Sequence, residues 1–483
     1  MRLGVSGGLS HAWPSVDRTR RFYLRALSAE MELAHAEEQP GGRFDPLPDA
    51  VLNFAGSWGW QLAPHPDCPL LFALHGGPVL DRDFLQGHLG RLETTDVLIV
   101  NCASDVEILR GMFAGAGPRI CRLPLPVDPE TFRPLPKEEC REAVSLEGAD
   151  LVLGFVARLL PQKNLHQFLR LLAELRRLLH PRRVAGVVVG SYWVDYPVLS
   201  YVTEEYPHRI AALLESLGLA PDVAWFHAGL DDEDLALCYG ALDLLVHPTS
   251  SVDENFGYVP VEAMACGIPV LGAAYGGLKD TVVDGETGFL MPTWITRSGI
   301  RMDLLRGRED ALRLLEDAAL RERMAGAALA RAREAYSEEA CGSILRDAVR
   351  QAVRERRAGL SRPVELAPPR PDPPDAGLLP PVPRSWERYA NAAAVYASGP
   401  VPEPGPRSRL RVAAPLEPAG EGLWRLDDPA WPAVFRLDAE DLALVRLCHE
   451  EIPFPEAEAR GADRARVRRL LADGLLLASE ARP

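Results

Sequence analysis

The sequence predicts an α/β protein with two parallel sheets and a small α+β module at its C-terminal end. Its 483 residues exceed what one ordinary core holds, and 47% of them are hydrophobic. Strand-like apolar runs alternate with longer amphipathic stretches through the first 335 residues, which is typical of parallel sheets covered by helices. Proline then makes up about a quarter of residues 361–420, against an average of about 5%, which indicates a linker.

The first sheet is expected in residues 1–145. Its strands are predicted at residues 2–5, 50–54, 70–74 and 96–101. Ser104 or Asp105 is expected to cap the helix that follows the last of these strands, because both side chains can accept a hydrogen bond from a first-turn N–H group.

The second sheet is expected in residues 146–336. It begins with a strand at Leu151, and the domain ends near a single helix over residues 309–335. Another amphipathic helix is predicted over residues 338–357, within a segment 337–360 that precedes the proline-rich linker.

The composition excludes several classes of protein. A formal net charge of −15 argues against a nucleic-acid binder, which needs clustered lysine and arginine to displace counterions. The eight cysteines form no CxxC pair and no cysteine–histidine cluster, so neither a zinc site nor a disulfide framework is indicated. The first residues lack the apolar core of a signal peptide, and no later segment has the length of a membrane span. We expect a soluble, cytoplasmic protein that is at most peripheral to a membrane.

The most informative segment is DENFGYVPVEAMACGIPVLG, residues 253–272, in which two carboxylates flank the start of a short helix. Pro260 suits the first helical turn, and the Gly-Ile-Pro sequence beginning at Gly267 is a usual way to end a helix. The first-turn N–H groups have no partner inside the helix and form the positive end of its dipole, so they can hold a phosphate. Glu254 and Glu262 can accept hydrogen bonds from sugar hydroxyls. The segment therefore predicts a nucleotide-sugar site.

This segment resembles the paired-glutamate signature of retaining glycosyltransferases with the GT-B architecture, of the family 4 type, also called glycosyl transferases group 1. GFVARLLPQKNL, residues 154–165, is similar to the other signature of that family, a strand followed by an arginine and a lysine that bind the donor diphosphate. Residues 187–191, 223–230, 242–250 and 275–289 fall where the family places its later strands and loops. The resemblance covers about residues 1–357 and implies two Rossmann-like domains facing a cleft, with a crossover helix that returns to the first domain.

The resemblance implies a diphosphate-binding role for five residues. Arg158 and Lys163 would supply the cations, and Gly257 and Tyr258 would supply backbone N–H groups where the short helix begins. Gly8 lies in a glycine-rich turn after the first strand and would let the backbone approach the diphosphate closely.

The resemblance also implies which residues contact the sugars. Glu254 would orient the transferred sugar, His75 would lie near its reacting carbon, and Glu262 would bind the nucleotide ribose. The implied activity is that of a retaining glycosyltransferase of the hexosyltransferase type, which moves a sugar from a nucleotide-diphosphate donor to a hydroxyl acceptor. No metal and no other cofactor is expected.

Other enzyme classes remain open to different degrees. Gly4 to Gly8 match G-x-S-x-G, but an α/β-hydrolase places its oxyanion loop before that motif, whereas the LHGG sequence at residues 74–77 follows it. Asp81 and Asp83 form a D-x-D pattern that binds a metal in another glycosyltransferase fold, and we expect both on the surface. A GT-B epimerase or phosphorylase, and a catalytically silent binding module, stay as alternatives.

The tail after the linker is expected to form a separate module over residues 421–483. LWRLDDPAWPAVFRL, residues 423–437, is predicted as a hairpin, and two capped amphipathic helices and a strand follow. This order resembles small winged-helix modules, including the peptide-recognition elements of peptide-modifying systems. A module on a stiff linker would suit presentation of a peptide or protein acceptor, and a small bracing domain is the alternative.

Overall fold

The computed structural model describes most of the chain. The described residues are 1–6, 14–35, 44, 46–54, 68–81, 85, 87–193, 195–196, 201–202, 204–227, 230–368, 386–480 and 482. They divide into two compact units, one built from Met1–Pro129, Asp253–Tyr258 and Arg331–Pro371, the other from Glu130–Val252, Val259–Ala330 and Asp372–Pro483.

The first unit contains a six-stranded parallel sheet. Its strands are Arg2–Ser6, Glu32–His35, Ala50–Phe54, Leu70–Ala73, Val97–Val100 and Arg119–Arg122, with the second strand at one edge beside the first. The helices of this unit are Pro14–Ser28, Gly77–Leu80, Ala103–Arg110 and Glu338–Arg357. The last of these packs against Pro14–Ser28, as the family resemblance implied for the crossover helix.

The cap of Ala103–Arg110 differs from the prediction. The Sγ of Cys102 accepts the hydrogen bond from the Asp105 N–H, and Ser104 and Asp105 both lie inside the first turn. The helix begins one residue before the predicted cap because the backbone of Cys102 is still extended while that of Ala103 is already helical.

The second unit contains another six-stranded parallel sheet. Its strands are Leu151–Val156, Val184–Val189, Val223–Phe226, Leu244–His247, Val270–Ala273 and Gly288–Met291. In space the order runs from the third strand through the second to the first, and then through the fourth, fifth and sixth. The chain order therefore reverses at Leu151–Val156, and open α/β sheets bind ligands at the carboxyl ends of strands near such a reversal.

Helices and one hairpin surround this second sheet. The helices are Lys137–Ala143, Leu165–Leu178, Tyr206–Ser216, Asp232–Gly240, Tyr258–Ala265, Leu278–Thr281, Leu304–Glu316 and Ala318–Ala335, and the hairpin pairs Thr293–Thr296 with Gly299–Met302. The single helix expected over residues 309–335 is wrong, because Asp317 interrupts it. The Asp317 carboxylate accepts a hydrogen bond from the Leu320 N–H and so caps a second helix.

The tail folds into a C-terminal module of two small antiparallel sheets and four helices. One sheet pairs Ser408–Val412 with Ile452–Pro453 and Leu476–Glu480, and the other joins Leu416–Gly420, Leu423–Leu426 and Ala433–Arg436. The helices are Trp386–Tyr396, Ala439–Leu447, Phe454–Ala459 and Arg464–Asp473. Residues 408–420, which their proline content assigned to the linker, thus supply two strands, because Leu410 and Ala414 are buried in the module's core.

The segment before the module follows the first unit. Residues 361–368 run beside two loops there, with the Arg362 carbonyl accepting from the Thr94 N–H and the Glu365 N–H donating to the Ala116 carbonyl. Among the described residues, no helix combines the length and the apolar character needed to cross a bilayer.

Candidate functional site

A tight loop follows the first strand of the second sheet. Residues 157–164, called the Lys163 loop below, leave Leu151–Val156 at its carboxyl end and make one short 3-10 turn over Pro161–Lys163. Asn164 ends the turn with φ of +61°, in the left-handed region that asparagine tolerates better than most residues. The Lys163 side chain is largely buried. A cation is therefore fixed where a parallel sheet binds its ligands.

Hydrogen bonds from the strand Leu244–His247 and its following loop hold the Lys163 loop in place. The Asn164 amide donates to the Pro248 carbonyl at 2.7 Å and to the Ser250 Oγ at 2.9 Å. The Ser250 N–H donates to the Gln162 carbonyl at 2.7 Å. These groups are buried, so each would cost about 1 to 3 kcal/mol if it were left unpaired.

The C-terminal module reaches the same place through residues 427–432, called the tail loop below. The Trp431 indole N–H donates to the Ser250 Oγ at 3.0 Å, and the Gln162 amide donates to the Ala430 carbonyl at 3.3 Å. Trp431 is 1% exposed and packs against Gly299, where an added Cβ would lie 2.5 Å from the indole ring. The module therefore supports the Lys163 loop through Ser250 and Gln162.

The tail loop has its own internal anchor in Asp428. Its carboxylate accepts from the Ala430 N–H at 2.9 Å and from the Trp431 N–H at 3.3 Å, and it lies 3.6 Å from the His166 Nε2. Burial disfavours the charge on Asp428, but His166, Arg301 and the backbone N–H outweigh it and hold the pKa of the carboxyl well below its usual range. The loop is thus fixed around an ionised carboxylate.

Arg158, the other predicted diphosphate ligand, lies at the start of the Lys163 loop. Its guanidinium stacks over the Trp193 ring with 4.9 Å between the guanidinium carbon and the ring centroid. Trp193 belongs to the segment 192–206, of which the structure describes only part. The adjacent Tyr192 packs edge-on against Tyr206, with ring centroids 6.2 Å apart. This segment thereby orients a cation that remains exposed to solvent.

The predicted short helix is present as Tyr258–Ala265. Pro260 lies in its first turn, and Gly267 ends it in the left-handed region, where the Ile268 N–H donates to the Ala263 carbonyl. Glu262 is buried in the second turn and accepts a 2.9 Å hydrogen bond from the Tyr239 hydroxyl. One carboxylate oxygen of Glu262 therefore has a protein partner that fixes its direction.

The residues before this helix belong to the first unit. Glu254 is 6% exposed, and the neighbouring Asn255 amide donates to the His75 carbonyl at 2.6 Å. Gly257 has φ of +86°, which favours glycine, and the Tyr258 hydroxyl shares a hydrogen bond of 2.7 Å with the Thr19 Oγ1. The structure thus brings the loop carrying Glu254 together with the residue His75 in one unit.

His75 directly follows the strand Leu70–Ala73. Its ring lies 4.3 Å from the Phe54 ring and 5.9 Å from the Tyr23 ring, measured between centroids. Burial lowers the pKa of His75 to about 3, so the imidazole is neutral at physiological pH. Its Nε2 is buried and has no hydrogen-bond partner among the described residues. A neutral ring in this position can donate to or accept from a ligand hydroxyl.

Two other predicted positions have different outcomes. Gly8 lies outside the described residues, as does Asp83. Asp81 was expected on the surface, and this is wrong, since its exposed fraction is 2%. Burial, with a smaller contribution from Asp105, raises the pKa of Asp81 to about 8, because the helix Gly77–Leu80 ends with this side chain turned inward.

Several residues at the site carry no motif that sequence patterns could reveal. Tyr239, Ser250 and Asn255 act through contacts between segments that lie far apart in the chain. The tail loop did carry one local signal, since the Asp-Asp-Pro sequence is typical of a turn in which an aspartate accepts backbone hydrogen bonds. That signal predicted a turn but not its partner.

Comparison with known proteins assigns the chain to a family. Residues 136–296 match the family of glycosyl transferases group 1. The D-inositol 3-phosphate glycosyltransferase of Kineococcus radiotolerans is 31% identical over 358 residues, which cover 69% of this chain and 78% of that protein. The chain belongs to the group 1 glycosyltransferases. The enzyme of the same description from Stackebrandtia nassauensis is 33% identical over 275 residues, and the chain spans 58% of its length.

Solved structures place the fold of this group 1 glycosyltransferase. Sucrose-phosphate synthase from Thermosynechococcus elongatus matches with a TM-score of 0.56 at 20% identity, covering 73% of this chain and 99% of that one. HepE from Anabaena, solved in complex with UDP, matches with a TM-score of 0.52 at 18% identity, covering 72% of this chain and 100% of that one. The two parallel sheets are those of the GT-B fold, and the C-terminal module is an addition to it.

Proposed function

We propose that this protein transfers a sugar from a nucleotide-diphosphate donor to a hydroxyl acceptor with retention of the anomeric configuration. The observation that carries the proposal is the position of Lys163, a largely buried cation on a hydrogen-bonded loop at the carboxyl end of Leu151–Val156. Family membership supports it, because group 1 relatives are named as glycosyltransferases.

The diphosphate would be stabilised by groups that are already in position. As the bond between the sugar and the diphosphate breaks, negative charge grows on the leaving phosphate oxygen. Lys163 and Arg158 would stabilise that charge, together with the backbone N–H groups at the start of Tyr258–Ala265. Because the Lys163 loop is already fixed by Ser250 and the tail loop, its cation needs little reorganisation during the reaction.

The carboxylates and the imidazole would contact the sugars. Glu262 would accept from the ribose hydroxyls with the oxygen that does not bind Tyr239. Glu254 would accept from hydroxyls of the transferred sugar, and the unpartnered Nε2 of His75 would lie near its reacting carbon. The acceptor hydroxyl would attack from the face that the diphosphate leaves, which retains the configuration.

The substrates to test first come from the similar proteins. HepE was solved with UDP, so UDP is the first nucleotide to titrate. The matched bacterial relatives are named as D-inositol 3-phosphate glycosyltransferases, so inositol 3-phosphate is the first acceptor to test. A peptide or protein acceptor recruited by the C-terminal module remains a proposal from the sequence.

The deciding experiment measures UDP binding to the Lys163→Ala variant by calorimetry and thermal unfolding. A ligand at a hundredfold its Kd stabilises a protein by about 2.7 kcal/mol, and we expect the variant to lose most of that gain while its unliganded unfolding temperature changes little. Arg177→Ala is the matched control, because Arg177 is an exposed cation of the same domain. Equal UDP affinity in the Lys163→Ala variant and the parent would refute the assignment of the cation.

Product analysis separates the alternative activities. With one nucleotide sugar and an acceptor, a transferase yields a glycoside, an epimerase yields a free or isomerised sugar, and a phosphorylase requires phosphate. A silent binding module would bind UDP and yield no product. We expect the glycoside.

A further inference from the structure

A cavity lies within the second unit, between the sheet domain and the C-terminal module. Its volume is about 640 Å³, within the range of small-molecule sites. The helices Leu165–Leu178 and Leu304–Glu316 line one side, and the module lines the other with residues 411–416, Trp424 and the helix Ala439–Leu447. Most of the wall is apolar, formed by side chains such as Phe168, Leu305, Trp424 and Val445.

Four arginines line the same cavity, which we call the arginine pocket. Arg308 is paired, because it contacts Glu174 at 2.9 Å and Glu451 at 2.7 Å. Arg170, Arg411 and Arg446 form no ion pair and no hydrogen bond with any residue in the described part of the chain. The pocket therefore carries an excess of positive charge in a protein whose formal net charge is −15.

This excess charge is unfavourable while the pocket holds only protein groups. Burial lowers the pKa of Arg170, and Arg209 and Arg411 lower it further by repulsion, with Asp428 acting in the opposite direction. Asp428 is already occupied by two backbone N–H groups of the tail loop. An anion beside Arg170 and Arg411 would offset both the burial and the mutual repulsion of these cations.

We propose that the arginine pocket binds a small amphipathic anion, a molecule with an apolar body and one carboxylate or phosphate group. The apolar walls would bury the body, and the group would contact Arg170 and Arg411 with the bidentate geometry that arginine offers to both anions. A nucleotide fits poorly, because its polar base and ribose would meet apolar walls. The site uses none of the residues assigned to the donor, so the proposal stands independently of the proposed transfer reaction.

The test uses three probes of equal chain length with the full-length protein. Dodecanoate, dodecyl phosphate and 1-dodecanol are titrated below their micellar concentrations, in the presence of saturating UDP so that the donor site is occupied. We expect at least one of the two anions to bind at least about tenfold more tightly than the alcohol, since a close charge pair is worth a factor of this order. The comparison of carboxylate with phosphate identifies the head group.

Matched variants connect the binding to the pocket. Arg170→Gln and Arg411→Gln should each weaken the preferred anion by about tenfold. Arg425→Gln should leave it unchanged, because Arg425 is an exposed arginine of the neighbouring strand that does not line the pocket. Leu442→Trp, at a partly exposed lining position, should abolish binding by filling the cavity, and thermal unfolding confirms that each variant is folded.

Three results would overturn the proposal. They are the absence of binding by every probe, equal affinity for the alcohol and both anions, and unchanged anion affinity in both arginine variants. Anion binding that Leu442→Trp leaves intact would likewise place the ligand elsewhere on the protein and refute the assignment.

Discussion

The two parallel sheets hold their candidate residues in contrasting ways. In the second unit, the Lys163 loop is fixed by directed hydrogen bonds from Asn164 to Pro248 and Ser250, and by Trp431 of the tail loop. In the first unit, His75 is held by aromatic rings, and its Nε2 has no partner among the described residues. Hydrogen bonding fixes a charge in position, whereas aromatic packing keeps an imidazole neutral and leaves a polar atom for a ligand.

The strongest way to break this contrast is Trp431→Ala. Removing a buried tryptophan creates a cavity and deletes the hydrogen bond to Ser250, which should cost about 3 to 5 kcal/mol of unfolding free energy. UDP affinity should also fall, because the Lys163 loop loses its support. Denaturant unfolding and calorimetry measure the two effects.

Trp431→Phe serves as the control for volume. It keeps most of the ring and removes the indole N–H, so it should cost about 1 kcal/mol and weaken UDP only slightly. An unfolding free energy of Trp431→Ala close to that of the parent would show that the tail loop is not a support.

The two glutamates sharpen the contrast, because they lie in different units. Glu262→Ala should weaken UDP itself, by about 1 to 3 kcal/mol for a lost buried partner. Glu254→Ala should bind UDP almost normally and lose kcat. Calorimetry and steady-state rates on both variants measure this, with Glu286→Ala, an exposed turn position, as the control. Equal losses of UDP affinity would contradict the division of roles.

Asp81 gives the first unit a distinct dependence on pH. Its folded-state pKa of about 8 lies above the unfolded value near 4, so the native protein keeps a proton that the unfolded chain releases. The stabilisation is complete below about pH 4 and is lost as the pH rises toward 8. Between pH 6 and 7 the unfolding free energy of the parent should fall by about 1.4 kcal/mol relative to Asp81→Asn. Parallel pH profiles of the two proteins would exclude a protonated Asp81.

The smallest effect is expected from metal removal. Lys163, Arg158 and the N–H groups of Tyr258–Ala265 supply positive charge for the diphosphate, so we expect transfer to continue at nearly the parent rate in excess EDTA. A loss of activity that Mg²⁺ or Mn²⁺ restores would show that a divalent cation carries part of that charge.

Local patterns in the sequence predicted much of the fold. Ala50–Phe54 and Glu338–Arg357 occur with the predicted bounds, because a buried apolar run and a capped amphipathic helix are each specified within one segment. The ends of Tyr258–Ala265 were also predictable, since proline and glycine act on their own backbone.

Features that depend on distant segments were not predictable in the same way. Trp431 and Ser250 lie 181 residues apart, and neither belongs to a motif. Asp81 appeared as an ordinary surface carboxylate because its burial depends on how the turn after Gly77–Leu80 is directed. The Asp317 break inside an otherwise continuous helical pattern depended on whether one carboxylate would accept a backbone hydrogen bond.

The contact of Trp431 with Ser250 also limits how this enzyme can be rearranged. A C-terminal module on a proline-rich connection invites exchange with another tail, yet here the tail supplies part of the interior of the neighbouring domain. A chimaera that replaces residues 408–480 would need a matching indole donor and a glycine at position 299 to admit it. Module and sheet domain should therefore be inherited and engineered as one unit.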